Sequence, residues 1–339
     1  MIRIEEGTAM PSGYESRMDV RETQIAIKMI KDHLEAELAD TLNLTRVSAP
    51  LFVRPESGLN DDLNGVERPV SFDMTSIPGN VQIVQSLAKW KRMALHNYDF
   101  RPGEGLYTDM NAIRRDELPD NLHSIYVDQW DWELIIQKNQ RNEAFIRAIV
   151  SEIYACLRRV ENRLLRVYPY LDRKLPDDIC FVTAQELEDR YPELSPRERE
   201  DAICREKKAV FLMGIGGRLK GGASHDGRAP DYDDWSLNGD ILFWYPVLER
   251  SFEVCSMGIR VDASTMASQL ETSGKAARAS LDFHRKVLDG ILPYTIGGGI
   301  GQSRICMFYL DKAHIGEVQA SVWPEAMVDA CRARGIHLL

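Results

Sequence analysis

Apolar residues recur along this chain with two different periods. Between residues 21 and 44, Ile27, Ile30, Leu34, Leu38 and Leu42 step by three and four, which lines one face of an α-helix. A longer stripe, Ile146, Ile149, Ile153, Leu157, Val160 and Leu164, predicts an amphipathic helix over 141–167. Shorter helices are predicted over 86–95 and 275–289. Strand patterns fill much of the remainder. Val47, Ala49, Leu51 and Val53 alternate, but Pro50 cannot donate to a central ladder, so this strand is expected at an edge or an interface. Residues 81–84 form a second short strand, and 123–133 alternates strictly, which puts Gln129 and Asp131 on one face. The apolar run 209–217 ends in glycines, and strands 240–246 and 252–262 are joined by a short acidic link as a hairpin. Residues 295–310 read as a glycine turn feeding an apolar helix, and residues 1–18 as a loose leader. Neither an internal repeat nor a low-complexity linker interrupts the pattern. Hairpin-paired strands with irregularly interspersed helices predict an α+β fold, an antiparallel sheet flanked by helices, rather than alternating βαβ units.

Composition narrows the class. A length of 339 residues allows one large domain or two smaller ones. The net charge of −10 opposes a general nucleic-acid coat, which needs clustered Lys and Arg, but leaves room for a basic pocket holding a small anion. Six scattered cysteines without CxxC or CxH spacing point away from zinc and from a disulfide framework. The first twenty residues lack the apolar stretch of a secretory signal, and no run approaches the roughly 18–20 apolar residues that span a bilayer. The expectation is a cytoplasmic protein with no membrane and no nucleic-acid partner.

Four groups of residues carry candidate chemistry. In GGGIGQSR, Gly297 to Arg304, glycines let the backbone approach a flat or charged ligand, and Arg304 on a first helical turn can meet phosphate. A tight turn before a core helix explains the glycines equally well. The string is neither a dinucleotide fingerprint nor a P-loop, so a nucleotide site here is of another kind. RAPDYDDWS (228–236) followed by LNGD gathers Asp231, Asp233, Asp234 and Asp240, read either as solvated loop acids or as oxygen ligands for Mg²⁺ on a nucleoside triphosphate. In FEVCSMGIR, Glu253 is an acid in an apolar strand, facing either solvent or a partner, with Arg260 at the far end. Strict alternation puts Glu253 and Ser256 on opposite faces, so a shared pocket requires a bulge near Ser256–Gly258. Finally, Arg114 and Arg115 precede an acidic loop and can bind phosphate, while Gln129 and Asp131 can read an amine; a solvated surface accounts for each of them alone. The seven histidines form no triad with a serine or cysteine, although His123 and His225 remain potential ligand neighbours.

The strings SLAKWKR, GEGLYT, VDQWDWE, RAPDYDDWS, LNGDI, SMGIRVD and TIGGGIGQSR, in this order from about residue 22 to 324, resemble the ammonia-dependent asparagine synthetase family, the A type of aspartate–ammonia ligase. The resemblance implies a class II aminoacyl-tRNA-synthetase-like catalytic domain over 19–339, in a homodimer. The helix and strand around Pro50 look like the dimer-forming first motif, Arg114 like the phosphate-binding arginine of the second, and Gly297–Arg304 like the third. The implied reaction converts L-aspartate, ATP and ammonia into asparagine, AMP and pyrophosphate through a β-aspartyl-adenylate. By similarity, catalysis falls to Asp61, Arg114, Gln129 and Arg304. Substrate contacts fall to Asp61, Ser86, Lys91, Gln129, Asp131, Asp233, Ser256 and Arg260, with Arg260 clamping the α-carboxylate bidentately. The nucleotide falls to Arg114, Glu253, Gly299 and Arg304, and Mg²⁺ to Asp240 and Glu253.

Three departures from the family pattern are visible: about fifteen additional N-terminal residues, a shortened loop between Ser236 and Leu237, and Val66 and Cys255 at positions where no single residue is required. A glutamine-dependent type is disfavoured, because residue 2 is Ile rather than a cysteine exposed by methionine removal. Two rivals stay open: another amino-acid-adenylating or tRNA-charging ligase on the same fold, and a non-catalytic sensor of amino acid or nucleotide.

Overall fold

The computed structural model describes all residues except Met1, Glu6, Asp62, Asn64, Gly65 and Val66. Along the chain the elements are β1 (Ile2–Glu5), β2 (Thr8–Pro11), α1 (Val20–Leu42), β3 (Leu44–Arg46), β4 (Phe52–Val53), β5 (Ser71–Met74), β6 (Ile77–Ile83), α2 (Ala88–Asn97), β7 (Gly105–Ile113) and β8 (Tyr126–Ile135). They continue with α3 (Glu143–Val167), β9 (Cys180–Thr183), α4 (Ala184–Arg190), α5 (Pro196–Lys207), β10 (Ala209–Met213), β11 (Asp233–Tyr245), β12 (Arg250–Arg260), α6 (Ala263–Thr272), α7 (Asp282–Leu288), β13 (Thr295–Gly301), α8 (Gln302–Tyr309) and α9 (Glu325–Ala333).

An eight-stranded sheet in the order β3-β7-β8-β13-β12-β11-β10-β9 organises the molecule. Its six central strands pair antiparallel, and only the outermost strands β3 and β9 pair parallel with their neighbours. The α+β expectation therefore holds. One face of the sheet buries Trp130, Trp132, Cys255, Met257 and Ile259 against the apolar stripes of α1 and α3 and against α8. Asp19 caps α1 by accepting from Glu22 N, and Asn43 ends it at φ 53°, a left-handed geometry that Asn tolerates. On the other face α2 covers only one end, where Ala94 and Leu95 pack on Leu106 and Ile135. The middle of that face stays open and forms the cavity described below.

Several expected elements are redrawn. The strand expected over 47–53 is only β4, Phe52–Val53, in a small sheet with β5 and β6; β3 of the large sheet ends at Arg46, and Pro50 lies between the two. The helix over 275–289 is a 3-10 turn, Ala276–Ser280, followed by α7. Residues 295–301 are a central strand rather than a turn. Strand β7 and helices α4, α5 and α6 had no counterpart in the sequence reading. The stretch expected to be a loose leader carries the β1–β2 hairpin, and Met10 is buried against Ala313, Met327, Cys331 and Ile336. Val66 lies outside the described residues. Among the described residues no helix is long and apolar enough to cross a membrane.

Candidate active site

The site grows from the register of three neighbouring strands. On β8, period-two alternation sends Gln129, Asp131 and Glu133 to the open face, and four of the seven residues of β13 beside it are glycine. Gly301, Gly299 and Gly297 pair with Gln129, Asp131 and Glu133, respectively. A Cβ at Gly299 would stand 2.5 Å from Gln129 Oε1 and 2.8 Å from Asp131 Oδ1, and one at Gly297 would stand 2.0 Å from Glu133 Oε2. The glycines are thus required because side chains from β8 lean across β13; the backbone of β13 is the floor of the cavity. On the far side β12 contributes Ser256, opposite Gly299, and Arg260. Ile241 pairs with Cys255 but Leu242 pairs with Glu253, so Val254 is the extra residue of a bulge. The bulge required to bring Glu253 and Ser256 to one face exists, slightly upstream of its expected place.

The resulting cavity is about 430 Å³ and is lined by Asp61, Ser86, Lys91, Arg114, Gln129, Asp131, Asp233, Glu253, Ser256, Arg260, Gly299 and Arg304. Every sequence-derived site residue except Asp240 is on its wall. Asp240 sits just behind, paired across the ladder with Ser256.

One end is rich in buried opposite charges. Lys91 reaches down from α2, donating to Gly298 O at 2.8 Å and lying 3.1 Å from Asp131 Oδ2. Burial lowers its pKa, with Asp131 opposing and Arg260 reinforcing the shift. The buried Asp131 Oδ1 has no hydrogen-bond partner among the described residues. Arg260 donates through Nε and Nη2 to Glu133, at 3.0 and 2.7 Å, and through Nη1 to Asp233 at 2.5 Å. The side-on edge of Arg260 is thus engaged by Glu133, which leaves its end-on edge for the bidentate contact expected of it. A guanidinium has five N–H donors, so one remains on each Nη. Burial would raise the Glu133 pKa, but Arg260 and Lys91 bring it below the usual carboxylate range. For Asp233 burial wins over Arg260, and its pKa is raised.

The other end gathers three arginines, Arg114, Arg228 and Arg304, two of them paired with carboxylates. Arg304 Nη1 donates to Glu253 O at 3.1 Å and lies 3.3 Å from Glu253 Oε2. Arg228 Nη2 pairs with Asp240. Burial acts to raise the Glu253 pKa but is outweighed by Arg304, Arg228 and Arg114, which together lower it. Asp240 is pushed up, by burial first and by the Glu253 charge. His123 donates or accepts at Nδ1 with Asp120 Oδ1, 2.9 Å away, and also lines the cavity. His225 is bonded to Glu200 at 2.9 Å.

The four acids of residues 228–240 do not form one metal cage. Asp231 is taken by Lys89, Arg278 and His284, Asp233 by Arg260, Asp234 by Arg141 and Asp240 by Arg228. No group of three or more His, Cys, Asp or Glu side chains suited to a metal occurs among the described residues. Glu133, Arg228 and Tyr232 were not singled out from the sequence. Alternation marked Glu133 as a face-mate of Asp131, and Arg228 and Tyr232 stand inside the string RAPDYDDWS, but their partners lie on distant strands.

A family profile described as AsnA, aspartate-ammonia ligase, matches residues 21–335. The chain belongs to this family. It is 63% identical over 330 residues to an aspartate–ammonia ligase of Ruminiclostridium cellulolyticum, covering 97% of this chain and 98% of that one. It is 60% identical to one of Clostridium perfringens, again covering 97% and 98%. A Clostridium tetani relative, 58% identical, aligns over 100% of this chain, so the N-terminal residues are shared within the family. Among solved structures, asparaginyl-tRNA synthetase of Pyrococcus horikoshii, complexed with asparaginyl-adenylate, superposes with a TM-score of 0.64 at 13% identity, covering 89% of this chain and 70% of that one. The Entamoeba histolytica asparaginyl enzyme gives 0.62 at 11% identity, covering 88% of this chain and 66% of that one. These likenesses establish the class II synthetase fold for this chain.

Proposed function

We propose that this chain joins ammonia to the side-chain carboxyl of L-aspartate at the expense of ATP, through a β-aspartyl-adenylate, releasing AMP and pyrophosphate. The observation that carries the proposal is the division of one cavity into two ends. One end offers both signs of charge, as a zwitterionic amino acid with a second carboxylate requires. The other gathers Arg114, Arg228 and Arg304, as a polyphosphate requires. A cavity of about 430 Å³ is within the range of small-ligand sites, roughly 300–1,000 Å³.

At the amino-acid end, Asp131 with its unpartnered Oδ1 accepts the substrate ammonium, joined by Asp233. Lys91 and the remaining Nη donors of Arg260 hold carboxylate oxygens, with Ser86 and Ser256 alongside. The aspartate side-chain oxygen attacks the α-phosphorus, and the bond to pyrophosphate breaks. Arg114 and Arg304 stabilise the charge that develops on the phosphoryl oxygens, and Gly299 keeps the floor flat beneath them. Ammonia then adds to the acyl carbon, the C–O bond breaks and AMP leaves. Asp61, with Gln129 across the cavity, binds incoming ammonium and takes its proton. The bound ATP and aspartate are positioned side by side, which removes much of the entropic cost of the first step.

Mg²⁺ fits the residues present. Asp240 has a buried Oδ1 without a hydrogen-bond partner among the described residues, and the Glu253 charge acts to raise its pKa, a repulsion that a cation between the two would relieve. Two hard carboxylates are what Mg²⁺ takes from a protein when phosphate oxygens complete its shell. When bound, the ion neutralises phosphate charge. The proposal includes a homodimer: Leu51, Phe52 and Phe72 are exposed beside Pro50, with the two phenyl rings in edge contact at 5.6 Å. It also places the enzyme in the cytoplasm, where the six free cysteines remain reduced.

The test is to incubate the protein with ATP, Mg²⁺, labelled aspartate and ammonium. Asparagine and AMP should appear in equal amounts, and label should not pass to added tRNA. Formation of ADP would overturn the adenylate route, because it places attack at the γ-phosphate.

A further inference from the structure

We propose that the N-terminal segment 8–14 is part of the nucleotide end of the site, acting through Asn121 as a positioning residue. This inference rests on the reading above, in which Arg114 holds ATP. Arg114 begins the connection between β7 and β8, and Asp116, Glu117, Leu122, His123 and Ser124 from the same connection line the cavity. That connection is tied within itself: Arg114 N donates to Ile125 O at 2.9 Å, and the Asp120 carboxylate accepts from Leu122 N and His123 N at 2.7 and 2.8 Å. Three side chains tie it to the rest of the molecule: Asp116 accepts from Arg68 near the surface, Ser124 donates to Ser321 Oγ at 3.0 Å, and Asn121 is the buried tie to the N-terminal segment.

The Asn121 side chain is buried and fully engaged. Its Oδ1 accepts from Ala9 N at 2.6 Å, while its Nδ2 donates to Ala9 O at 2.9 Å and to Ala313 O at 2.7 Å. Its own carbonyl accepts from Ile315 N at 2.8 Å. The amide thus reads both backbone groups of Ala9 as a neighbouring strand would. In β2, Ala9 pairs with Ile4, and its N–H and C=O both bond Asn121 on the other edge.

Two further contacts hold the segment in place. Tyr14 donates its hydroxyl to the Glu317 carboxylate, whose oxygens lie 3.0 and 2.9 Å away. Met10 is buried in the C-terminal cluster with Ala313 and Met327. Residues Ile315 and Gln319, on the same C-terminal segment, also line the cavity. The N-terminal segment therefore clasps both stretches that wall the nucleotide end. Among the described residues its hydrogen bonds with side chains of the cavity walls go to Asn121 and Glu317, and none goes to Lys91, Asp131 or Arg260. At metal sites, loss of a partner that orients a ligating residue costs roughly tenfold to a hundredfold in affinity, and the lower end of that range is the size expected here.

The decisive comparison is ATP and aspartate affinity, measured separately by calorimetric titration in the presence of Mg²⁺. Ala9→Pro removes the N–H that Asn121 Oδ1 accepts, on the edge of β2 that does not pair with β1. Ala9→Pro and Asn121→Ala should each weaken ATP binding about tenfold while aspartate binding stays within about twofold. The double variant should be no worse than either single one, because both break the same contact. Ala9→Ser, which keeps the N–H, should bind like the unaltered protein. An unchanged ATP affinity, an equal loss for aspartate, or additive losses in the double variant would each overturn the proposal. Should Asn121→Ala fail to fold, Ala9→Pro against Ala9→Ser decides it alone. The reaction itself is judged by products, asparagine with AMP, so its failure is distinguishable from a failure of these affinity ratios.

Discussion

Glycine at position 299 shows how a residue can matter by what it lacks. Its hydrogen leaves room for Gln129 and Asp131 to cross the strand. Gly299→Ala should displace both side chains and lower stability by about 1–3 kcal/mol, the usual cost of overpacking. The measurement is aspartate-dependent ATP–pyrophosphate exchange together with a urea melt; full activity would contradict the packing described. Asp231 works in the opposite sense, through partners rather than space. Burial alone would raise its pKa, but Lys89, His284 and Arg278 together depress it far below the ordinary value. A carboxyl depressed in the folded state stabilises the fold at pH above its unfolded value, near 4, and loses that contribution as the pH falls further. The thermal midpoint should therefore drop as pH is lowered from about 5 to about 3. Asp231→Asn should flatten that dependence and reduce stability at neutral pH by roughly 3–5 kcal/mol.

Helix α2 is placed by charge more than by apolar contact. Three cations within four residues each take a different anchor: Lys89 on Asp231, Lys91 on Asp131 and Gly298 O, and Arg92 on the carbonyls of Val261 and Pro293. These anchors lie on separate segments, so the helix cannot shift without breaking several buried bonds. Lys89→Met should leave Asp231 with two of its three partners and cost roughly 1–3 kcal/mol. Because Lys91 rides on the same helix, the KM for aspartate should rise several-fold while the KM for ATP changes less; equal changes in both would argue against this role for α2. Strand β12 shows a second element-scale device. Its bulge at Val254 reverses the alternation, so that Glu253 and Ser256 share the cavity face while Val254 and Cys255 remain in the core.

At the scale of the molecule, one face of the sheet is committed to the core and the other is divided between α2 and the cavity. That division explains how a chain with net charge −10 can concentrate Arg114, Arg228 and Arg304 at one end of a single cleft. The exposed Leu51–Phe52–Phe72 cluster belongs to the same scale. Sedimentation equilibrium should give a particle of twice 38.6 kDa, and Phe72→Glu should shift it to the monomer mass. A monomer in the unaltered protein would remove the dimer from the proposal.

The sequence alone determined the helical stripes of α1 and α3, the alternation of β8 and most of the residues named for the cavity, since each is written in local period or in long family strings. Tertiary structure decided what those residues do for one another. The glycines of 297–301 look like a turn until strands β8 and β12 are laid beside them. The four acids of 228–240 look like one cluster until each meets a cation from another segment. The partner that orients Arg260 is unseen until Glu133 is opposite. The physical reason is the same in each case: periodicity reports which face a side chain takes, whereas partner, space and charge balance come from segments tens to hundreds of residues away.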